Sequence, residues 1–286
     1  MEYTILRKRS LIPERVSELV VNAPHIAAKA RPGNFVILRL CEGGERIPLT
    51  IADTDKERGT ITIVYLVLGK TTALLETFAE GQAILDVCGP LGRPTDIHKV
   101  GTVICTGGGT GIAAMHHIAK GHHLAGNRVV SVIGSRSKDL LLFHEELTAI
   151  SDEVLVSTDD GSFGHKGLVT EVLEQRIQEA RENRETIGEI VAVGPVPMMR
   201  AVAKVTEPYG IKTTVSLNSI MVDGIGMCGA CRVTVGGTIR FACVDGPEFD
   251  AQQVDFDELH LRLGTFRPQE ELSYNQFCQS HAKQKD

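Results

Sequence analysis

Three cysteines and one aspartate in the last quarter of the chain constrain its fold more than any other feature. They follow the spacing D-x4-C-x2-C-x11-C, from Asp223 through Cys228 and Cys231 to Cys243. Plant-type [2Fe–2S] sites have C-x4-C-x2-C and a distant fourth cysteine, so an aspartate stands where the first thiolate is expected. Three glycines inside the motif allow backbone N–H groups to approach sulfur closely. We therefore predict a [2Fe–2S] cluster held by these four residues.

Two other interpretations of the motif stay open. C-x-x-C can be half of a zinc site or a redox-active disulfide. A zinc site needs a second ligand pair, but only one cysteine and no histidine lie between Cys231 and His260. Seven cysteines, an odd number with three of them clustered, are more typical of metal ligation in a reducing cytoplasm than of a set of disulfides.

Short strands and turns dominate the first hundred residues. Apolar and β-branched segments at 35–40, 60–67 and 83–88 are separated by Gly and Pro, which predicts a small antiparallel β-barrel. One helix is expected over 71–80, closed by Gly81.

Two segments of this barrel carry candidate cofactor contacts. The strand segment 46–50 is stiff because its proline fixes φ, and it offers a guanidinium and a hydroxyl. The segment 69–72 lies where free N–H groups at a helix start favour a phosphate. An ordinary strand end and an ordinary capped helix are the alternatives. The candidates are Arg46, Pro48, Leu49, Thr50, Gly69, Lys70, Thr71 and Thr72.

Strands alternate with helices from about residue 101 to 215, which predicts an open parallel α/β sheet. A glycine-rich loop follows its first strand, although its spacing is one residue tighter than G-x-G-x-x-G. Ligands bind such sheets outside the carboxyl ends of the strands. The nucleotide-contact candidates there are Gly107, Gly108, Gly109, Thr110, Gly111, Ser135, Arg136, Asp160, Gly194, Pro195 and Met198.

Charged and titratable residues of this region allow fewer conclusions. Arg136, at the second strand end, suits the extra phosphate of NADP, whereas an NAD site usually has an acidic residue there. Two histidine pairs, at 116–117 and 122–123, indicate a solvated helix face rather than a metal site, because the pairs are two turns apart. No acid–base pair or nucleophile arrangement is evident, so no catalytic side chain is predicted.

Net charge and hydropathy exclude some classes of partner. The formal net charge of −6 argues against a nucleic-acid partner. No apolar stretch approaches the roughly 20 residues of a membrane span. The N-terminus shows no signal peptide. We therefore expect a cytoplasmic protein that binds neither nucleic acid nor membrane.

The order of these parts resembles the ferredoxin–NADP reductase superfamily of flavoproteins. The resemblance implies an FAD-binding barrel over 1–98, an NAD(P)-binding α/β domain over 99–216, and a [2Fe–2S] domain with a tail over 217–286. It also implies that segments 46–50 and 69–72 bind FAD, and that loops 107–111 and 194–199 bind the nicotinamide nucleotide.

The cysteine motif narrows the resemblance. Electron-transfer subunits of dihydroorotate dehydrogenase have four cysteines at this spacing. The aspartate, with Met227–Arg232 and Phe241–Asp250, resembles the small (alpha) subunits of NADH-dependent reduced ferredoxin:NADP oxidoreductase, also known as sulfide dehydrogenase. That family implies FAD, a [2Fe–2S] cluster and NAD(H) in preference to NADP(H). It also implies a heterodimer with a larger flavin/[4Fe–4S] subunit, reaching ferredoxin indirectly, and electron bifurcation.

Two alternatives remain at this point. The first is an electron-transfer subunit of a dihydroorotate dehydrogenase-type complex, against which the aspartate counts. The second belongs to another class: a non-catalytic nucleotide-sensing protein with a zinc knuckle. Metal content distinguishes the second from both electron-transfer hypotheses.

Overall fold

Two seven-stranded sheets and one hairpin organise residues 2–282, which the computed structural model of the protein describes. The first sheet is antiparallel, with the strand order β6-β1-β2-β5-β4-β3-β7, and confirms the predicted barrel. Alternating apolar residues such as Leu19, Ile51 and Ile63 fill its core. Its elements are β1 (Tyr3–Ile12), β2 (Val16–Asn22), α1 (Pro24–Ala27), β3 (Phe35–Arg39), β4 (Arg46–Asp55), β5 (Thr60–Leu66), α2 (Lys70–Glu76), β6 (Ala83–Ile84) and β7 (Asp86–Leu91).

Helix α2 ends four residues before the predicted end at residue 80. The Lys8 ammonium donates to the backbone carbonyls of Glu76, at 2.5 Å, and Phe78, at 3.1 Å. Tyr65 is buried and its hydroxyl donates to the Glu76 carboxylate at 2.6 Å. Lys8 thus satisfies the carbonyl of Glu76, the last residue of α2, and that of Phe78 just beyond it, so the chain leaves the helix before Gly81.

The second sheet has the order β11-β10-β9-β8-β12-β13-β16 and confirms the predicted parallel α/β architecture. Helices cover both faces, which explains why its strands are nearly continuous runs of buried residues. Its elements are β8 (Thr102–Gly108), α3 (Gly111–Leu124), β9 (Arg128–Ser135), α4 (His144–Thr148), β10 (Glu153–Thr158), β11 (His165–Lys166), α5 (Val169–Glu182), β12 (Ile187–Val193), α6 (Val196–Thr206), β13 (Thr213–Ser216) and β16 (Glu248–Asp250).

The remaining elements follow β13 in the chain. Two short strands, β14 (Arg232–Val235) and β15 (Thr238–Phe241), form an antiparallel hairpin. The chain then returns to the second sheet through β16, which pairs antiparallel with β13. Helices α7 (Phe256–Leu263) and α8 (Arg267–Ala282) complete the described residues. No helix within residues 2–282 is both long and apolar enough to cross a membrane.

The prediction of a solvated histidine face on α3 was wrong for three of the four histidines. His116, His117 and His122 are buried, and only His123 is exposed. The cause is that α3 lies between the second sheet and the barrel strand β4. His117 Nδ1 donates to the carbonyl of Ile51 at 2.9 Å. Part of this helix is therefore an interface with the barrel.

Candidate functional site

The β14–β15 hairpin brings together two of the four predicted cluster ligands. Cys231 immediately precedes β14 and Cys243 closely follows β15, and both side chains are buried. Their Sγ atoms are 3.3 Å apart. A disulfide would require about 2.05 Å, whereas two thiolates on one tetrahedral metal lie roughly 3.7 Å apart when each metal–sulfur bond is about 2.3 Å. The observed separation is too long for a disulfide and about 0.4 Å shorter than the shared-metal value, so the two sulfur atoms lie close to the arrangement that one metal ion would require.

The protonation state of Cys243 would change when a metal ion binds. Burial, reinforced by the neighbouring Cys231 thiol, raises the pKa of Cys243. A thiol must lose its proton to ligate a metal, and a buried thiol does so only beside a positive charge. Iron and zinc both meet this requirement.

Asp223 and Cys228 lie on the loop that leads into the hairpin. Asp223 Oδ1 accepts hydrogen bonds from the backbone N–H of Ile225 at 2.8 Å and of Gly226 at 3.2 Å, and Oδ2 accepts from that of Cys228 at 2.5 Å. These bonds, led by that from Ile225, lower the pKa of Asp223. Within residues 2–282 no three His, Cys, Asp or Glu side chains converge as a metal-binding group. The four-ligand assignment therefore stays a prediction, with one pair in contact.

The cysteine loop packs against the barrel at Gly224. This glycine has φ of +75°, and a Cβ there would lie 2.6 Å from Leu91 Cδ1 and 2.8 Å from Ile37 Cδ1. Only glycine allows so close an approach in this conformation. Ile37 on β3 pairs directly with Pro48 on β4. The loop thus lies one strand away from the predicted flavin segment.

The predicted flavin contacts lie on β4 and at the start of α2. Arg46 is exposed, while Pro48, Leu49 and Thr50 are partly buried along β4. Gly69 precedes α2, and the N–H groups of Leu68 and Gly69 donate to Thr72 Oγ1 at 3.0 and 3.1 Å. Lys70 is the exposed first residue of the helix.

A side-chain hydrogen bond joins these two segments. The Thr71 hydroxyl donates to the carboxylate of Glu45, the residue before Arg46. This bond fixes the start of α2, with its predicted phosphate contacts, relative to the start of β4, with its predicted flavin contacts. Capping by Thr72 occupies two N–H groups but leaves those of Lys70 and Thr71 available at the helix start.

The predicted nucleotide contacts collect at the carboxyl edge of the second sheet. Gly107 and Gly108 end β8, Ser135 ends β9, and Gly194 and Pro195 follow β12. Gly111 begins α3, and a Cβ there would lie 2.5 Å from the carbonyl oxygen of Val193. A Cβ on Gly108 would lie 2.6 Å from Met198 Sδ. Small residues thus allow the loops after β8 and β12 to meet, as a dinucleotide site requires.

Two exposed residues of opposite charge, Arg136 and Asp160, follow the ends of β9 and β10. The backbone N–H of Asp160 donates to the carbonyl of Arg136 at 3.2 Å, and both side chains are exposed. Hydrogen bonds from Ser162 lower the pKa of Asp160, so its carboxylate is ionised at neutral pH. The guanidinium of Arg136 suits the extra phosphate of NADP, whereas the carboxylate of Asp160 suits the ribose hydroxyls of NAD. This edge of the sheet therefore has one residue typical of each nucleotide.

Two arginines that the sequence alone did not indicate donate to the cysteine loop. Arg232 Nη1 lies 3.1 Å from the carbonyl oxygen of Gly229, and Arg262 Nη2 lies 3.1 Å from that of Ala230. Arg262 is 32 residues from its acceptor. No local pattern could have indicated it, because only the fold brings α7 to the loop.

Comparison with known proteins gives consistent matches. Residues 218–255 match the iron-sulfur cluster binding domain of dihydroorotate dehydrogenase B. A homologue of the electron transfer subunit of dihydroorotate dehydrogenase B (NAD(+)) from Thermotoga maritima is 48% identical over 273 residues, covering 96% of this chain and 95% of the relative. The electron transfer subunit from Bacillus caldolyticus is 34% identical, covering 88% of this chain and 98% of the relative.

Solved structures extend these matches to the whole fold. A chain from the structure of NADH-dependent reduced ferredoxin-NADP oxidoreductase, studied for flavin-based electron bifurcation, is 46% identical with a TM-score of 0.90. The match covers 97% of this chain and 98% of that one. A ferredoxin NADP+ reductase from Neisseria gonorrhoeae, 16% identical with a TM-score of 0.59, covers 73% of this chain and 91% of that one and shares the fold alone.

Proposed function

We propose that this chain, which belongs to the family of dihydroorotate dehydrogenase B electron-transfer subunits and their homologues, is a flavoprotein oxidoreductase subunit that moves electrons between NAD(H) and a larger partner. FAD and a [2Fe–2S] cluster are its cofactors. When bound, they supply hydride acceptance and single-electron transfer, which together connect a two-electron donor to one-electron acceptors.

The observation that carries the proposal is the position of β4. Its first half bears the predicted flavin contacts and lies one strand from the cysteine loop through the Ile37–Pro48 pair. Its second half is bound to α3, which begins at the predicted nucleotide loop, because Lys120 Nζ contacts both carboxylate oxygens of Asp53 at 2.9 Å. One strand thus connects the three candidate sites.

Each set of residues has a separate task in this proposal. The loops after β8 and β12 bind and orient the nucleotide over the sheet edge. Arg46 and the start of α2 hold phosphates, while Thr50 offers a hydroxyl to the flavin ring. Cys228, Cys231, Cys243 and Asp223 hold the cluster against the barrel. No side chain of the chain is assigned a proton transfer.

Two electron-transfer complexes are candidates for the assembly. We favour an electron-bifurcating NAD(H)/ferredoxin/NADP(H) oxidoreductase, whose larger subunit carries a flavin and [4Fe–4S] clusters and reaches ferredoxin. The observation supporting it is the match at 46% identity over nearly the whole of both chains. A dihydroorotate dehydrogenase-type partner is the second candidate, supported by the relatives at 30–34% identity.

The surface around the cysteine loop supports a heterodimer. Val222, Ile225, Met227 and Val244 are exposed there, Met227 to 82%. Contiguous exposed apolar residues are typical of interaction sites. We place the larger subunit on this face, in the cytoplasm, where a reducing environment suits the seven free cysteines.

Anaerobic absorption spectra before and after NADH addition, with iron and sulfide analysis, test the proposed function. We expect flavin bands and a broad iron–sulfur shoulder, both bleached by NADH. Cys231→Ser should remove the shoulder and leave the flavin bands, whereas Cys278→Ser, in an exposed cysteine of α8, should change neither. Zinc without iron or sulfide would contradict the proposal and support the zinc-knuckle hypothesis.

A second experiment distinguishes the two complexes. The tagged chain is co-expressed with each candidate larger subunit, and the purified complex is assayed for NAD(H)-linked reduction of ferredoxin and NADP, or for dihydroorotate oxidation. Activity only with dihydroorotate would overturn the bifurcating assignment and leave the electron-transfer role intact.

A further inference from the structure

Two guanidinium groups bind consecutive carbonyls inside the cysteine loop. Gly229 and Ala230 are the two residues between Cys228 and Cys231. Their carbonyl oxygens accept from Arg232 and Arg262, each at 3.1 Å. The cations therefore contact the backbone that separates two of the predicted sulfur ligands.

Arg262 is held in place by the packing of α7. Phe256 and Leu259 are buried, and the Glu258 carboxylate accepts from the backbone N–H of Thr234 on β14 at 3.0 Å. The Asp255 side chain caps the helix by accepting from Glu258 N–H at 2.9 Å. Helix α7 is thus fixed on the hairpin, and its last turn directs Arg262 to Ala230.

The charge of these two arginines is not neutralised by a carboxylate. Within residues 2–282 neither Arg232 nor Arg262 forms an ion pair, whereas Arg128, Arg176 and Arg200 all do. Arg262 is half-buried and Arg232 is exposed. Solvent and salt screen an exposed charge more strongly, so Arg262 exerts the larger field on the loop.

We propose that Arg262, assisted by Arg232, raises the reduction potential of the [2Fe–2S] cluster held by this loop. The inference rests on the proposed function. Reduction adds one negative charge to the cluster, and a fixed positive charge nearby stabilises the reduced form more than the oxidised form. Hydrogen bonds to the loop carbonyls also fix the backbone around the sulfur ligands, which is a further means of tuning a cluster.

A redox titration of the holoprotein, monitored by the EPR signal of the reduced cluster, tests this inference. Arg262→Gln removes the charge and should shift the potential to more negative values, whereas Arg262→Lys should stay close to the wild type. Arg232→Gln should give a smaller shift in the same direction. The shifts should be the same from pH 6 to pH 9, because an arginine does not titrate in that range.

Arg267→Gln is the matched control. Arg267 belongs to the same C-terminal region and is exposed, and its side chain makes no hydrogen bond to the cysteine loop among the described residues, so its loss should leave the potential unchanged. An unchanged potential in Arg262→Gln with full iron content would overturn the inference and leave the proposed function standing. If Arg262→Gln fails to retain the cluster, an unchanged potential in Arg232→Gln overturns it instead. A wild-type chain without iron and sulfide overturns both.

Discussion

At the scale of single residues, Asp223 has two possible roles that make different demands on its carboxylate. As a cluster ligand it must direct an oxygen at iron, whereas as a loop-closing group it accepts the three N–H bonds of Ile225, Gly226 and Cys228. A carboxylate has about four lone-pair positions, so three accepted bonds still leave one for a metal. Substitution can separate the two roles.

We expect Asp223→Cys to retain iron and to shift the cluster potential, because sulfur replaces a hard oxygen donor. Asp223→Asn should lower the iron content, since a neutral amide is a weaker ligand. Iron analysis and EPR redox titration of the purified variants are the measurements.

Asp245 provides a matched control for this comparison. Its Oδ2 accepts from the backbone N–H of Phe241 at 2.9 Å, so it is a second carboxylate that closes a turn near the cysteines. Asp245→Asn should leave the iron content unchanged, because Asp245 is not a proposed ligand. If Asp223→Asn behaves the same way, Asp223 is a loop-closing residue and the ligand assignment is wrong.

Contacts between residues that are close in the sequence could be predicted, whereas contacts that depend on tertiary packing could not. The cysteine spacing lies within 21 residues, so the proximity of Cys231 and Cys243 could be expected before their sulfur atoms were located. The contact of Arg262 with Ala230 depends on how α7 packs. No spacing rule connects them, and the arginine could not be predicted.

At the scale of elements, the start of α3 depends on a residue without a side chain. A Cβ on Gly111 would lie 2.5 Å from the carbonyl oxygen of Val193, and backbone on both sides cannot yield without moving the helix. We expect Gly111→Ala to destabilise the protein by about 1–3 kcal/mol, the usual range for overpacking. The NADH concentration for half-maximal flavin reduction should rise.

Gly264→Ala is the control for this substitution. A Cβ on Gly264 would lie 3.4 Å from the Leu261 carbonyl oxygen, an ordinary contact, and its φ is −80°. Chemical denaturation and NADH titration should show little change. A Gly111→Ala variant as stable as Gly264→Ala would show that the β8 and β12 loops have more room than their contacts indicate.

The buried histidines of α3 should make the stability of the folded protein depend on pH. Burial lowers the pKa of His117 below its ordinary 6.5, and so do Lys120 and His116, against the Ile51 carbonyl and Asp53, which favour the charged form. Because the folded pKa is the lower one, this contribution to stability is present above about pH 6.5 and is lost as the pH falls. The thermal unfolding midpoint should therefore drop below that pH.

The substitution His117→Asn tests whether protonation of His117 causes this loss of stability. An Asn amide can donate to Ile51 in place of Nδ1 but does not titrate, so His117→Asn should show a smaller loss of thermal midpoint between pH 7.5 and pH 5.5. His123→Asn, in the exposed histidine of the same helix, should match the wild type. Equal losses in all three proteins would mean that His117 does not carry the pH dependence.

Elements with strong periodic patterns were predicted well, and those fixed by distant contacts were not. Helices α5 and α6 lie within residues 101–215, where the sequence predicted that helices alternate with strands. Helix α2 ends early because of Lys8, which belongs to β1. The histidine face of α3 was predicted to be solvated because the sequence does not show that β4 covers it.

At the scale of the whole molecule, the order of barrel, parallel sheet and cysteine motif could be predicted from residue patterns and from the positions of Gly and Pro. The boundaries at residues 98 and 216 stay predictions. The return of the chain to the second sheet through β16 was not predicted, because a strand of three residues has no periodic signal. Yet β16 ties the cysteine hairpin to the nucleotide-binding sheet through its pairing with β13.

Glu248 contacts three parts of the molecule, and its carboxyl group should make the stability of the folded protein depend on pH. It begins β16, pairs with Ser216 of β13, and accepts from the Thr95 hydroxyl in the segment after the barrel at 2.7 Å. Burial, followed by the neighbouring Glu189 carboxylate, raises its pKa to about 7, although Thr95 and Lys212 act in the opposite direction. The folded pKa lies above the ordinary 4.5, so the protonated form favours folding. This contribution is fully present below pH 4.5 and is lost as the pH rises through about 7.

Glu248→Gln should remove this loss, because a neutral amide still accepts from Thr95 and never ionises. The full shift corresponds to about 3 kcal/mol, and partial exposure to water reduces the expected gain in stability at pH 8 to roughly 1–2 kcal/mol. At pH 5 the gain should nearly vanish. Thermal unfolding at both pH values, with Glu57→Gln in an exposed turn of the barrel as the control, measures it. Equal stability of Glu248→Gln and wild type at pH 8 would mean that water reaches the carboxylate and that its ionisation does not destabilise the folded protein. The Glu248 contribution is lost between about pH 4.5 and pH 7, whereas that of His117 is lost as the pH falls below about 6.5, so the two groups act in opposite directions over the mildly acidic range.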